Sequence, residues 1–233
     1  MKTRRSLHPG DPLNTFDYIM DISEKHGLTS AFYFLCGRSD PAKDSDYELE
    51  HPAIRDLIRH ISIRGHEIGL HASYNTYQNP ERVNAEANRL KRVCTDEHIA
   101  QTHYGGRMHY LRWETPTSLY GWEKAGIKYD TTLVYADMPG FRCGTCYEYP
   151  AFDPVKGKML NLWIRPLIAM DRSVISKRYL GLGVSHKAFI KFKQLKDSCR
   201  SVRGCFTLLW HNSQLDSPEK QSLYVSLINE SSI

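Results

Sequence analysis

Continuous apolar runs alternate along this chain with stretches in which apolar positions recur every three or four residues. LTSAFYFLC (28–36) is an unbroken run, the pattern of a strand buried on both faces. HEIGLH (66–71), RMHYLR (107–112), IKYDTTLVY (127–135), MLNLWIRPLIAM (159–170) and CFTLLW (205–210) read as further strands, with Pro166 bending or ending the fifth of these six. Helical patterns lie between them. Phe16, Ile19, Met20 and Ser23 share one face, opened by Asn14 or Thr15 and closed by Gly27. Pro52 opens a helix with Ile54, Leu57, Ile58 and Ile61 on one side and Gly65 as its stop. Asn79-Pro80 opens another, carrying Val83, Ala87, Leu90 and Cys94, and Thr115-Pro116 opens one with Leu119 and Trp122. Two more are expected, over 185–200 and from Ser217-Pro218-Glu219.

Six strands with helical crossovers imply parallel pairing and an α/β sheet or barrel. With no internal repeat and no linker-like tract, 1–233 reads as a single domain. The long irregular segment is 136–158, and its aromatics, Arg142 and two cysteines argue for an ordered, functional loop.

Composition narrows the class. At 233 residues, 41% apolar and 24% charged, the chain buries a sizeable core and is neither disordered nor collagen-like. No apolar run approaches the roughly 20 residues of a membrane helix. MKTRRSLHPGDP lacks the apolar stretch of a secretory signal, so a cytoplasmic location and six reduced cysteines are expected. The net charge of +5 is scattered among acidic residues, which argues against nucleic acid as a partner.

The chemistry-bearing residues fall at strand ends. His71, Arg112, Asp137, Asp171 and His211 each stand at or just past the end of an expected strand, the rim where parallel α/β folds keep their sites. His71 and Asn75 are four apart in the turn after a strand, where an imidazole and an amide oxygen can address one cation, completed by a carboxylate. His66 points to the other face of that strand and reads as structural. Asp137 and Arg142, carried by the long loop, are substrate-pocket candidates.

Several of these segments resemble a known family. GHEIGLH followed by ASYN is similar to the second motif of the polysaccharide deacetylases, the NodB-homology carbohydrate esterases. LLWHN resembles that family's closing Leu-x-His motif. NTFDYIMDISEKHGLTSAFYF, GLHASYNTY, YDTTLVYADMPGFRCGTC and FTLLWHNS together resemble the branch found in surface-polysaccharide (O-antigen or capsule) biosynthesis, over roughly 14–213. The resemblance implies a distorted (β/α)7-type barrel of parallel strands. It further implies metal-dependent hydrolysis of an acetyl group from an acetylated sugar or polysaccharide precursor, with zinc the first choice of divalent metal. His71 is then the first metal ligand, and Asn75 takes the position where the family has a second histidine. His211 is the general acid, Arg112 (or Arg107) orients a catalytic carboxylate, and Trp210 joins the substrate pocket.

The family's first motif, a strand ending in Asp-Asp, has no counterpart. Thr15-Phe16-Asp17 matches superficially, but it opens an amphipathic helix and Tyr18 replaces the second aspartate. The expectation is therefore a barrel lacking its first strand, with 28–36 left as an unpaired edge and activity impaired unless Asp137 or Asp171 supplies the carboxylate. The alternative is a non-catalytic carbohydrate-binding relative, using Tyr74, Tyr77, Tyr110, Trp113, Tyr135 and Trp210 as stacking surface. Cys143-Gly-Thr-Cys146 has dithiol spacing, yet it lies in a loop followed by Tyr-Glu-Tyr-Pro and has no second pair for a structural zinc. No Gly-x-Ser-x-Gly elbow supports a serine hydrolase.

Overall fold

The computed structural model describes residues 10–229. The chain passes between two units at 30/31, 133/134, 147/148 and 165/166. Helix α1 (Phe16–Lys25) belongs to the second unit, and the first begins with β1 (Ala31–Leu35).

The first unit, Ala31–Leu133 with Glu148–Arg165, is an α/β layer. Its further elements are α2 (Pro52–Ile63), β2 (Glu67–Ala72), α3 (Pro80–Asp96), β3 (Gly105–Met108), α4 (Thr117–Lys124), β4 (Tyr129–Asp130), β5 (Tyr149–Asp153) and β6 (Lys158–Ile164). The six strands form one sheet in the order β1-β2-β3-β4-β6-β5, parallel except for the β5–β6 hairpin, and it does not close on itself. The helix starts are where proline loses no hydrogen bond: Pro52 follows the capping His51, whose Nδ1 accepts from Ala53 N, and Pro80 follows Asn79, whose Oδ1 accepts from Arg82 N. Ile54, Ile58 and Ile61 of α2 and Val83, Ala87 and Leu90 of α3 are buried, as are Ile68, Leu70 and Ala72 of β2. Alternate residues of β2, Glu67, Gly69 and His71, point to the other face of the sheet.

That other face is aromatic and charged. Tyr33 pairs in register with Gly69, and Tyr129 with Gly105 on one side and Trp163 on the other. The two glycines make room for the tyrosine rings. A Cβ at Gly69 would lie 2.1 Å from a ring carbon of Tyr33, and one at Gly105 would lie 2.1 Å from a ring carbon of Tyr129. Arg107 lies 4.8 Å over the Tyr33 ring and Arg165 lies 3.7 Å over that of Tyr129.

Several expected strands are shorter than the apolar runs that suggested them; LTSAFYFLC is strand only over Ala31–Leu35. RMHYLR is strand only to Met108, after which His109–Leu111 form a 3-10 turn with Tyr110 and Leu111 at φ of 58° and 56°. In IKYDTTLVY the ladder stops at Asp130, because the Asp130 carboxylate takes the Thr132 N–H at 3.0 Å and turns the chain away. CFTLLW pairs only over Leu208–Leu209. Strand β5 lies inside the segment read as irregular. It is an edge strand that accommodates Pro150, and the turn into β6 uses Gly157 at φ 63°.

The second unit comprises 10–30, Val134–Tyr147 and 166–229. Beyond α1 it holds β7 (Ala169–Met170), α5 (Asp171–Ile175), α6 (His186–Ser201), β8 (Leu208–Leu209) and α7 (Pro218–Asn229). Pro166 ends the long apolar run of 159–170, and the chain resumes as β7, which pairs in parallel with β8. The core gathers Ile168, Val174, Phe192, Leu195, Leu223 and Leu227, with Cys146 and Cys199 packed among them.

Candidate functional site

Each unit carries an aspartate–histidine pair. In the first, the turn after β2 is clamped from below by Glu86 of α3, whose carboxylate accepts from Ser73 N at 2.9 Å and from Ser73 Oγ at 2.5 Å. Burial of Glu86 pushes its carboxyl up. From the loop after β1, Asp44 reaches the same turn. Its side chain is fully buried; Oδ2 accepts from Ser39 N, Ser39 Oγ and Asp40 N at 2.8–3.0 Å. Its Oδ1 accepts from Tyr74 N at 2.9 Å and from His109 Nδ1 at 2.8 Å. Burial alone pushes this carboxyl up, but the hydrogen bonds from Asp40, His109, Tyr74 and Ser39 outweigh it and hold the pKa below its ordinary value.

His71, near the end of β2, places Nδ1 2.9 Å from the Arg107 carbonyl oxygen. A carbonyl only accepts, so Nδ1 carries the proton and Nε2 is the lone-pair nitrogen of that ring. The His71 and His109 rings meet edge to face with centroids 4.8 Å apart. Asn75 is placed differently. Its Oδ1 accepts from Arg112 at 2.9 Å, and its Nδ2 donates to Ser39 O. Arg112 also donates to Tyr74 O and Tyr77 Oη, and its guanidinium lies between the Tyr74 and Tyr77 rings, 4.1 and 4.0 Å from their centres. The expected ligand Asn75 and the expected catalytic Arg112 are thus bonded to each other. Arg107, the other arginine considered, donates to Thr131 O at 3.1 Å and lies over Tyr33.

In the second unit, Asp171 opens α5 and is fully buried, while the His211 side chain, just past β8, remains 37% exposed. Asp171 Oδ1 receives His211 Nδ1 at 2.7 Å and Oδ2 receives the His211 backbone N–H at 2.8 Å. The carboxylate therefore fixes both the ring's tautomer and its orientation, and Nε2 becomes the nitrogen that exchanges protons. Trp210, expected in a substrate pocket, packs against Phe192 and Tyr224 with Nε1 donating to Gln214 O. Asp137 and Arg142 are exposed, and Arg142 is held by Val134 O at 3.0 Å beside the Tyr135 ring. Of the cysteine pair, Cys146 is buried beside Cys199, whose thiol is pushed up to about 12 by burial and by Cys146; Cys143 is half-buried.

A cleft of about 490 Å³ in the first unit begins at Glu67 and is lined by Gln101, His103, Lys128, Trp163 and Arg165. One of about 290 Å³ in the second is lined by Phe141, Cys146, Tyr147, Ser198 and Val202. Neither contains a residue expected from sequence to be catalytic or metal-binding. Among the described residues, no three His, Cys, Asp or Glu side chains are gathered as a metal-ligand group. Set against the metal that the family resemblance implies, His71 fits: its Nδ1–H is anchored on a carbonyl, as the imidazoles of metal sites are. Asn75 does not fit as placed, since a guanidinium occupies its oxygen and repels a cation. A scan against protein-family models finds no match to this chain, and a search of curated proteins finds none.

The sequence reading missed His109 and Asp44. His109 stood inside an expected strand, RMHYLR, and its aspartate lies 65 residues away with no spacing that links them. Its place at the expected strand end directed attention to Arg112 in that segment; the histidine three residues earlier carried no separate signal.

Proposed function

We propose that this chain is a metal-dependent hydrolase that removes an acetyl group from an acetylated sugar in surface-polysaccharide biosynthesis. The observation that carries the reading is the Asp171–His211 pair, a buried carboxylate orienting a part-exposed imidazole at the end of a parallel strand. Such a pair holds and delivers a proton at Nε2, the task of the general acid that protonates a leaving amine or alkoxide. In the first unit His71 is the ligand this reading requires, with its tautomer set by the Arg107 carbonyl. A bound divalent metal, zinc first, supplies a polarised acetyl carbonyl and a water of lowered pKa. The fold that accompanies the reading is a distorted (β/α)7-type barrel, and its place of action the cytoplasm.

The test is acetate release from N-acetylated and O-acetylated saccharides in the presence of zinc. The wild type is expected to release acetate above the buffer rate, and His211→Gln to be slower by about 10²–10⁴-fold, the usual loss of a general acid. No release from any acetylated sugar ends the hydrolase reading. A second reading, a carbohydrate-binding relative without catalysis, draws on the half-exposed rings of Tyr110 in the first unit and Tyr135 in the second. Saccharide binding without acetate release favours that one.

A further inference from the structure

We propose that the cleft of the first unit binds a singly anionic saccharide, a uronic acid unit, at a place separate from the strand end that carries His71. Glu67 opens β2, and His71 is four residues further on, about 13 Å along the strand. The cleft lies at the Glu67 end, and its volume of about 490 Å³ falls within the range of small-ligand sites. The inference does not depend on the hydrolase reading, because none of the lining residues takes part in that chemistry.

The walls are fixed by bonds they make to one another. Gln101 brackets the start of β2: its Oε1 accepts from Ile68 N at 2.9 Å, and its Nε2 donates to Ile68 O at 2.6 Å and to His103 O at 2.9 Å. Tyr129 Oη donates to Glu67. Arg165 covers the Tyr129 ring at 3.7 Å and donates to Glu148 Oε1 at 2.5 Å. Trp163 N donates to Lys128 O at 2.9 Å, which sets the indole of β6 beside the lysine that precedes β4.

Three properties of this lining define the ligand. Trp163 pairs with Tyr129 and Pro150 in the sheet and is nevertheless 49% exposed. A flat apolar ring among polar groups suits a pyranose, which has a C–H face and a rim of hydroxyls. Next, Glu67 and Glu148 each engage one carboxylate oxygen, and Glu67 Oε1 and Glu148 Oε2 accept no hydrogen bond among the described residues. Such oxygens are acceptors for sugar hydroxyls. The last property is charge. Arg165 is matched by Glu148, whereas the Lys128 ammonium donates to no acceptor among the described residues. Its charge reaches Lys91, whose pKa is lowered by burial first and by Lys128 second. Lys91, Lys128 and Arg165 together outnumber Glu67 and Glu148 by one positive charge. A single carboxylate neutralises that excess, while a phosphate monoester, with nearly two charges at neutral pH, overshoots it against two lining carboxylates.

The experiment titrates methyl β-glucuronide, methyl β-glucoside and adenosine monophosphate into the full chain and follows the amide and indole N–H resonances. The two glycosides differ only in carrying a carboxylate or a hydroxymethyl group. The glucuronide is expected to shift the Trp163 indole N–H and to bind at least about fivefold tighter than the glucoside. Lys128→Gln should weaken the glucuronide about tenfold, the loss of one charge-assisted hydrogen bond, and leave the glucoside within about twofold. Trp163→Ala should weaken both about tenfold. A glucuronide bound no tighter than the glucoside overturns the inference. So does a Trp163 indole that stays unshifted at tens of millimolar glucuronide, or adenosine monophosphate bound tighter than either sugar. Should Trp163→Ala fail to fold, the Lys128→Gln comparison and the wild-type indole shift decide. Glucuronide binding is expected to persist in His211→Gln; its loss there overturns the separation of the two places. Absence of acetate release with glucuronide binding intact sinks the hydrolase reading and leaves this inference standing.

Discussion

Asp130 shows how strongly a single buried residue can couple this fold to pH. It is fully buried at the end of β4, and burial pushes its carboxyl up to about 6 against the hydrogen bonds from Thr132 and the nearby charge of Arg107. A carboxyl raised from its unfolded value of about 3.9 contributes stability that is full below about pH 4 and is lost as pH rises through about 6. The shift of about two units corresponds to about 3 kcal/mol at most. Relative to Asp130→Asn, which cannot titrate, the wild type is therefore expected to lose up to about 3 kcal/mol between pH 4 and pH 7. Urea unfolding of both chains at the two pH values checks this, and a difference that does not change with pH contradicts it. At this scale the sequence disclosed residues that sit in motifs and hid those defined by remote partners. His71 and His211 announce themselves at strand ends. Asp44 and His109 do not, because a hydrogen bond across 65 residues leaves no periodic trace.

Among the elements, the tyrosine–glycine rows of the sheet explain part of the HEIGLH pattern in physical terms. Gly69 and Gly105 are needed because rings occupy the space a side chain would take. Gly105→Ala is expected to lower stability by about 1–3 kcal/mol, the cost of overpacking a filled site, with little change in the urea m-value. Adding Tyr129→Leu, which removes the ring it strikes, should recover part of that loss; no recovery would place the cost in the backbone instead. Helices were legible because their starts are chemical: Pro52, Asn79-Pro80 and Ser185, whose Oγ accepts from Ala188 N, stand where expected. Strand ends were less so. Apolar runs continue past the last ladder bond when a side chain such as Asp130 captures the next amide, and β5 was hidden because Pro150 disguises an edge strand.

For the molecule as a whole, each of the two units packs a buried core of its own. Ile58 is fully buried in the first unit and Phe192 in the second. Ile58→Ala and Phe192→Ala are each expected to cost about 2–5 kcal/mol through lost burial and the cavity left behind. Denaturant midpoints of the two variants measure this, and a cost under 1 kcal/mol for either would show that its unit has no tightly packed core. The crossings between the units lie in ordinary segments with no linker composition. Pro166 is the one crossing marked by a residue that breaks a strand. The α/β class was legible, since it follows from the alternation of strand and helix alone.

The strand order of the first unit bears on how the chain is made. On a ribosome, β1 to β4 emerge in sequence, yet β4 must wait for β6 as its second neighbour. Residues 134–147, which belong to the other unit, are synthesised in between. At synthesis rates of about 5–20 residues per second, the 28 residues from Asp130 to Lys158 keep that edge of β4 exposed for about 1–6 seconds. For that interval the nascent sheet presents an unsatisfied strand edge, and slowing translation there would lengthen the window in which it can pair with the wrong chain.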